Sequence, residues 1–98
     1  MFLSQQLLEE ALSHIRSAYQ YDQAQNDTVG MIFDLRDMGN IYRSGEHEDG
    51  CLIYFRQALN LAHLIKDQAL STDVQSQIAA FYLQKDSATL ATNTYSHP

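Results

Sequence analysis

Apolar residues recur three or four positions apart along most of this chain, which is the spacing of amphipathic helices. In the first such stretch they are Leu8, Ala11, Leu12, Ile15, Ala18 and Tyr19. The pattern fades over residues 21–27. Asp27 at the end of this polar segment is a good N-cap, because its carboxylate can accept a backbone N–H that has no partner within the helix. A second helix is therefore predicted to begin after Asp27.

The second and third predicted helices flank a glycine-containing turn. The apolar face of the second is Ile32, Leu35, Met38, Gly39 and Tyr42. That of the third is Cys51, Phe55, Ala58, Ala62 and Ile65, with Leu52 and Leu59 beside it. The second is predicted to end at Gly45, where glycine can adopt the left-handed conformation. Charges at the third helix suit its dipole, with acids at its start and a base in its last turn. These are Glu46, Glu48, Asp49 and Lys66.

A fourth helix is predicted from Asp67, with the apolar face Leu70, Val74, Ile78, Ala79 and Tyr82. The segment "QKDS" at 84–87 is predicted to break it, with Asp86 or Ser87 capping a short fifth helix. The apolar run "CLIYF" is ambiguous alone, but the residues that follow it continue the helical period. The prediction is an all-α fold of about five helices.

Residues 40 positions apart share size and chemical class. The matching sets include Ala11, Cys51 and Ala91; Ile15, Phe55 and Tyr95; Gly39 and Ala79; Tyr42 and Tyr82; Arg16 and Arg56; Asp27 and Asp67. Since helices approach closely only where small side chains meet, Gly39 and Cys51 are predicted to face each other in an antiparallel pair. Ala79 and Ala91 are predicted to do the same one repeat later. Such pairs stack into a solenoid because one pair cannot bury both of its apolar faces.

The stretch "LRDMGNIYRSGEHEDGCLIYFRQAL" at 35–59 resembles a tetratricopeptide repeat (TPR). The matching positions are Met38, Gly39, Tyr42, Cys51, Phe55 and Ala58, with Ile78, Ala79, Tyr82, Ala91 and Tyr95 one repeat later. The resemblance implies an α-α superhelix of antiparallel pairs in one domain, 1–98. Residues 1–26 would be the second helix of a leading repeat, 27–66 a complete repeat, and 67–98 a second repeat with a truncated last helix. The period departs from the usual length of about 34 residues, which indicates a longer-period variant.

The net charge of −6 argues against several classes of partner. The six Lys and Arg residues are spread along the chain, so neither a nucleic acid nor an anionic membrane is predicted to bind. No apolar run is long enough for a membrane span. The single cysteine, Cys51, excludes an internal disulfide and fits a reducing compartment. The predicted location is the cytoplasm, although a chain that had lost its leader would have the same sequence.

No catalytic, metal or cofactor site is predicted, so we expect a protein that is not an enzyme. The four histidines include no pair at metal-binding helical spacing, and no phosphate loop, zinc signature or catalytic triad spacing is present. Cys51 occupies a small core position rather than the electropositive, accessible setting of a nucleophile.

Arg36, Asn40 and Arg43 lie on one face of the second helix, and Phe33 lies beside it. In some TPR proteins, a basic residue followed four later by Asn holds a peptide's terminal carboxylate, and Arg36 and Asn40 match that pair. A guanidinium can bind a carboxylate through two hydrogen bonds, and an amide can bind peptide backbone. The resemblance thus implies a scaffold that binds a protein or peptide through Phe33, Arg36, Asn40 and Arg43. The alternative is a solvated face on which Arg36 pairs with Asp37 or another local acid.

A structural role is the second possibility for the whole chain. Helical arrays usually need three or more repeats, and this chain has fewer. The apolar residues predicted in the fifth helix could not all be covered internally; they are Ala88, Leu90, Ala91 and Tyr95. We therefore expect a homo-oligomer, or a fragment of a larger regulatory protein whose neighbouring repeats are missing.

Overall fold

Four helices joined by three short turns form residues 5–96 in the computed structural model, which describes the backbone of residues 4–96 and the side chains of residues 4–85. They are α1 (Gln5–Ala24), α2 (Thr28–Ser44), α3 (Glu48–Leu64) and α4 (Gln68–Ser96). Each helix packs on the next in the chain, and α4 also contacts α2. The all-α prediction is confirmed, with no strand within 4–96.

The three interhelical turns have the same backbone structure. Each contains one residue with a left-handed backbone, namely Asn26, Glu46 and Lys66, with φ of 58°, 62° and 57°. At the second turn the N–H of His47 donates to the carbonyl of Tyr42 at 2.8 Å, and that of Glu46 to the carbonyl of Arg43 at 3.1 Å. These two bonds define a Schellman motif, and both recur at the other turns. The turns therefore repeat at half the 40-residue period.

The prediction of a left-handed Gly45 was wrong. Gly45 has a φ of −89°, because α2 continues through Ser44 and the left-handed position falls on Glu46. The missing side chain at Gly45 serves packing instead. A Cβ added there would lie 3.0 Å from Cδ1 of Leu8, which is buried under the turn.

The N-caps form largely as predicted. Asp27 Oδ1 accepts the N–H of Gly30, and Asp67 Oδ1 accepts that of Leu70, both at 3.0 Å. The third helix starts at His47 without a side-chain cap bond, and its first turn contains two acids, Glu48 and Asp49. The predicted positions of Glu46 and Lys66 within α3 were wrong, since both are the left-handed residues of turns.

The predicted fifth helix was also wrong. Helix α4 runs without interruption through 84–87 to Ser96. Its sequence contains no glycine or proline, and isolated Asp and Ser residues only modestly disfavour a helix. Ala79, the counterpart of Gly39, is consequently exposed. Its predicted partner Ala91 and the other residues of the fifth-helix prediction lie outside the described side chains.

The close approach of α2 and α3 at Gly39 is confirmed. A Cβ added to Gly39 would lie 2.5 Å from Cδ1 of Phe55 and 3.2 Å from the carbonyl oxygen of Cys51, and both of these residues are fully buried. Ile65, predicted on the same α3 face, is exposed. The buried apolar core is Leu8, Leu12, Ile32, Leu35, Met38, Cys51, Phe55, Ala58, Ala62, Val74 and Phe81.

A side-chain contact between helices also recurs after 40 residues. Arg16 on α1 donates to the hydroxyl of Tyr42 on α2 at 3.4 Å, and Arg56 on α3 donates to that of Tyr82 on α4 at 3.5 Å. The offset found in the sequence thus relates equivalent contacts in the two hairpins. The continuation of these hairpins into a superhelix stays a prediction.

Candidate binding face on α2 and α4

Helix α2 places Phe33, Arg36, Asn40 and Arg43 along one side, because residues three and four apart are neighbours on a helix surface. Phe33 is exposed and the other three are half-buried. The side chains form two local pairs, Phe33 with Arg36 and Asn40 with Arg43, and each pair makes its own contacts.

The Arg36 side chain links α2 to α4. Its Nη1 lies 2.5 Å from Oδ2 of Asp73, and its Nη2 lies 3.5 Å from Oδ1 of Asp37. Its guanidinium carbon also lies 4.9 Å from the centre of the Phe33 ring, within the range of a cation–π interaction. The alternative from the sequence, that Arg36 pairs with Asp37 or another local acid, describes the longer contact, whereas the shorter contact to Asp73 on α4 was not predicted. An incoming carboxylate would have to compete with Asp73.

The second pair is held by one short hydrogen bond. Arg43 Nη2 donates to Oδ1 of Asn40 at 2.7 Å. This bond fixes the amide with its oxygen towards Arg43. The amide nitrogen of Asn40 is a donor that this bond does not use, and it is the group that can reach a peptide carbonyl.

The equivalent face of α4 is uncharged. Ser76, Ala80 and Leu83 occupy the positions 40 residues after Arg36, Asn40 and Arg43, and all three are exposed. The side chain of Leu83 is 67% exposed. The α2 half of the face therefore supplies two cations and one amide, and the α4 half supplies an uncharged surface that includes Leu83.

A shallow, open depression lies elsewhere, at the turn between α2 and α3. Its floor is Tyr42 stacked on Tyr54, with ring centroids 5.4 Å apart and planes 3° apart. Gly50 permits this stack, because a Cβ there would lie 2.8 Å from Cγ of Tyr42. The rim includes Glu48, which is bound to Lys85 at 3.1 Å. The four predicted binding residues do not line this depression.

Asp34 is a buried acid that the sequence analysis missed. It is 8% exposed, and its Oδ2 has no hydrogen-bond donor among the described residues. Burial raises its pKa to about 7, helped by a hydrogen bond with Asp22 and by the charges of Asp22, Asp37 and Asp27. The signal was present in the 40-residue comparison, since Val74 is the counterpart of Asp34.

The burial and the pKa of Cys51 are consistent with a structural role for this residue. Its thiol is fully buried, and burial raises its pKa to about 11, so it is protonated at neutral pH. Within the described part of the chain, His, Cys, Asp and Glu side chains form no group of three or more that could hold a metal ion. No described helix is both long and apolar enough to cross a membrane.

No family model, curated protein or solved structure matches this chain. The resemblance to the TPR family therefore depends on the residues of the repeat, and it stays a prediction. The structural support for the repeat itself is internal: the three equivalent turns and the two equivalent Arg–Tyr contacts.

Proposed function

We propose that this chain is a non-catalytic scaffold of TPR type, which binds an extended segment of a partner protein along α2 and α4 in the cytoplasm. The observation that supports this most directly is the pairing of cations with an exposed aromatic ring on one face. Arg36 lies there over the Phe33 ring, and Arg43 follows further along the same face, in a chain with only six Lys and Arg residues. The surrounding chain is acidic, so this face is the suitable place for an acidic or carboxylate-ended segment.

Each residue of the face has a distinct role in this proposal. Phe33, 39% exposed, offers apolar contact, and the Arg36 guanidinium stacked on it is held ready to donate. A guanidinium has five N–H donors, and two ion-pair contacts occupy it among the described residues. Asn40 binds peptide backbone, and Arg43 holds the Asn40 amide in place.

Asp73 acts as an internal competitor for Arg36 in this account. Replacing Asp73 with Asn frees the guanidinium, so peptides that end in a carboxylate should bind Asp73→Asn more tightly than wild type. Arg36→Ala removes charged hydrogen bonds worth about 1.5–3 kcal/mol, which corresponds to a loss of affinity of roughly tenfold or more.

Isothermal titration with acidic-tailed peptides tests the proposal, with each peptide compared in its free-carboxylate and amidated forms. Arg56→Ala is the matched control, because Arg56 is exposed on α3 and hydrogen-bonds only the Tyr82 hydroxyl among the contacts described. Equal binding by wild type and Arg36→Ala, or no binding by either, would count against the proposal.

Self-association through α4 is the second candidate function. The α2 face formed by Leu35, Gly39 and Tyr42 is covered by α3, whereas its counterpart on α4 is open. Tyr82 on that side of α4 is 41% exposed, and the adjoining Leu83, which also borders the candidate binding face, is 67% exposed. Light scattering should then show a dimer or larger species for wild type and a monomer of unchanged helix content for Leu83→Lys. A wild-type monomer at micromolar concentration would refute this function.

A further inference from the structure

Two carboxyl groups occupy a place in the first hairpin that apolar side chains occupy in the second. Asp22 on α1 and Asp34 on α2 correspond, 40 residues later, to Ala62 on α3 and Val74 on α4. Ala62 and Val74 are fully buried. Asp34 is also buried, and a buried carboxylate without compensation is strongly unfavourable. The first hairpin therefore needs an interaction that compensates for burying this carboxyl group, and the second hairpin does not.

The geometry indicates that this compensation is a proton. Gly30 and Asp34 lie one turn apart on α2, and the Asp22 carboxyl lies against Gly30, which places it near the Asp34 carboxyl. A hydrogen bond with Asp22 helps to raise the pKa of Asp34, and two carboxyl groups can form such a bond only if one of them carries a proton. The missing side chain of Gly30 makes room for two carboxyl groups, because a Cβ there would lie 2.6 Å from Oδ2 of Asp27 and 2.7 Å from Oδ2 of Asp22. Asp22 also lies in the last turn of α1, where the helix dipole disfavours a negative charge.

The described charges that act on Asp34 include no positive one. Asp34 experiences the charges of Asp22 from α1, Asp27 from the turn and Asp37 from α2, all of them acidic. No described group on α3 or α4 is among the charges that shift it. The nearest cation in sequence, Arg36, is bound to Asp73 on α4. Loss of the shared proton would thus leave two negative charges together at a buried contact.

We propose that Asp22 and Asp34 share one proton and form a proton-dependent latch, which holds α1 on α2 in mildly acidic solution and weakens as the pH rises through neutrality. Among the described residues α1 packs on α2 alone, so it can separate while the α2–α3 and α3–α4 contacts remain. Separation would expose Leu8, Leu12 and the α2 side chains beneath them.

Hydrogen exchange of α1 amides, corrected for the intrinsic pH dependence of exchange, measures the opening of the latch. A carboxyl that titrates near pH 7 when closed and near 4 when open makes opening roughly 50-fold more frequent at pH 7 than at pH 5, with little change above pH 8. The α3–α4 hairpin is an internal control, because it has Ala62 and Val74 at these positions and should show no such rise. Carbon NMR of the Asp34 carboxyl should show a titration near neutrality.

Variants separate the latch from a general effect of pH. Asp34→Asn should abolish the rise in α1 exchange, while Asp49→Asn, at an exposed position in the first turn of α3, should leave it unchanged. Asp22→Asn provides the same test from the other side, and it serves if Asp34→Asn does not fold. The proposal is overturned if the Asp34 carboxyl titrates near pH 4, if α1 and α3 amides respond to pH alike, or if the rise persists when either member of the pair is Asn.

Discussion

Replacing Gly39 with Ala should destabilise the protein, although the same change at most exposed helix positions is stabilising. The added Cβ would lie 2.5 Å and 2.6 Å from two atoms of the Phe55 ring and 3.2 Å from the carbonyl oxygen of Cys51. Phe55 is fully buried and cannot turn into solvent, so α2 and α3 must move apart. Overpacking of this kind typically costs ~1–3 kcal/mol.

The opposing term is helix propensity, which favours Ala over Gly by about 1 kcal/mol in a helix interior. The net expectation is a loss of up to about 2 kcal/mol in the free energy of unfolding, in the upper part of that range because both a ring and a backbone atom must move. For a chain of this size each kcal/mol lowers Tm by about 4–8 °C. Urea unfolding followed by far-UV circular dichroism measures both the midpoint and the slope.

Ala79→Gly is the matched control at the counterpart position on α4. Ala79 is exposed, so this change should show only the propensity loss of about 1 kcal/mol. Combining Gly39→Ala with Phe55→Leu should be less destabilising than the sum of the two single changes, because the smaller side chain relieves the clash. A Gly39→Ala protein that is more stable than wild type by about 1 kcal/mol would refute the close approach of α2 and α3.

Three further predictions follow from the turns, the caps and the buried acid. Glu46→Gly should raise the free energy of unfolding by about 0.5–1 kcal/mol in urea, because the φ of 62° at Glu46 is costly for a residue with a Cβ. The control, Glu48→Gly within α3, should lower the free energy of unfolding. Asp67→Ala should lower stability by about 1 kcal/mol, because the hydrogen bond from the Leu70 N–H is lost. Asp67→Asn should largely retain the stability, because an amide oxygen can accept the same bond. The pKa of Asp34, about 7 when folded against 3.8 ordinarily, means that the unfolded chain loses this proton first as pH rises. Wild type should therefore lose about 2 kcal/mol relative to Asp34→Asn between pH 5 and pH 7, and parallel pH profiles of the two proteins would contradict this.

The features that were predicted correctly from the sequence depend on local chemistry. An aspartate before an apolar period forms an N-cap wherever the helix begins, and Asp27 does so. A glycine opposite a small residue permits close approach, and Gly39 does so against Cys51. Both features need only the residues themselves and the antiparallel pairing of neighbouring helices.

The features that were missed depend on competition between neighbours in space. The left-handed residue is set by where α2 ends, one position later than glycine preference suggested, so Glu46 takes it. The continuation of α4 through 84–87 shows that polar residues alone do not end a helix that lacks glycine or proline. The period of three and four treats an aspartate as a surface residue, so it gave no indication that Asp34 is buried.

The candidate face likewise combines features that follow from local sequence with features that depend on contacts between helices. The positions of Phe33, Arg36, Asn40 and Arg43 along one side of α2 follow from helical spacing. The ion pair of Arg36 with Asp73, 37 residues away, depends on how α4 lies against α2, which no local pattern specifies. That contact changes the expected chemistry of the face, because a ligand must now displace an internal carboxylate.

NMR mapping of a bound peptide tests the central claim most directly. A carboxylate-ended peptide, selected for binding from a random display library, is titrated into labelled wild type, Arg36→Ala and Asp73→Asn. The account predicts amide shifts concentrated on α2 around Phe33, Arg36 and Asn40 and on the facing part of α4, with weaker binding to Arg36→Ala and tighter binding to Asp73→Asn. Shifts confined to other surfaces, or the same affinity for all three proteins, would contradict it.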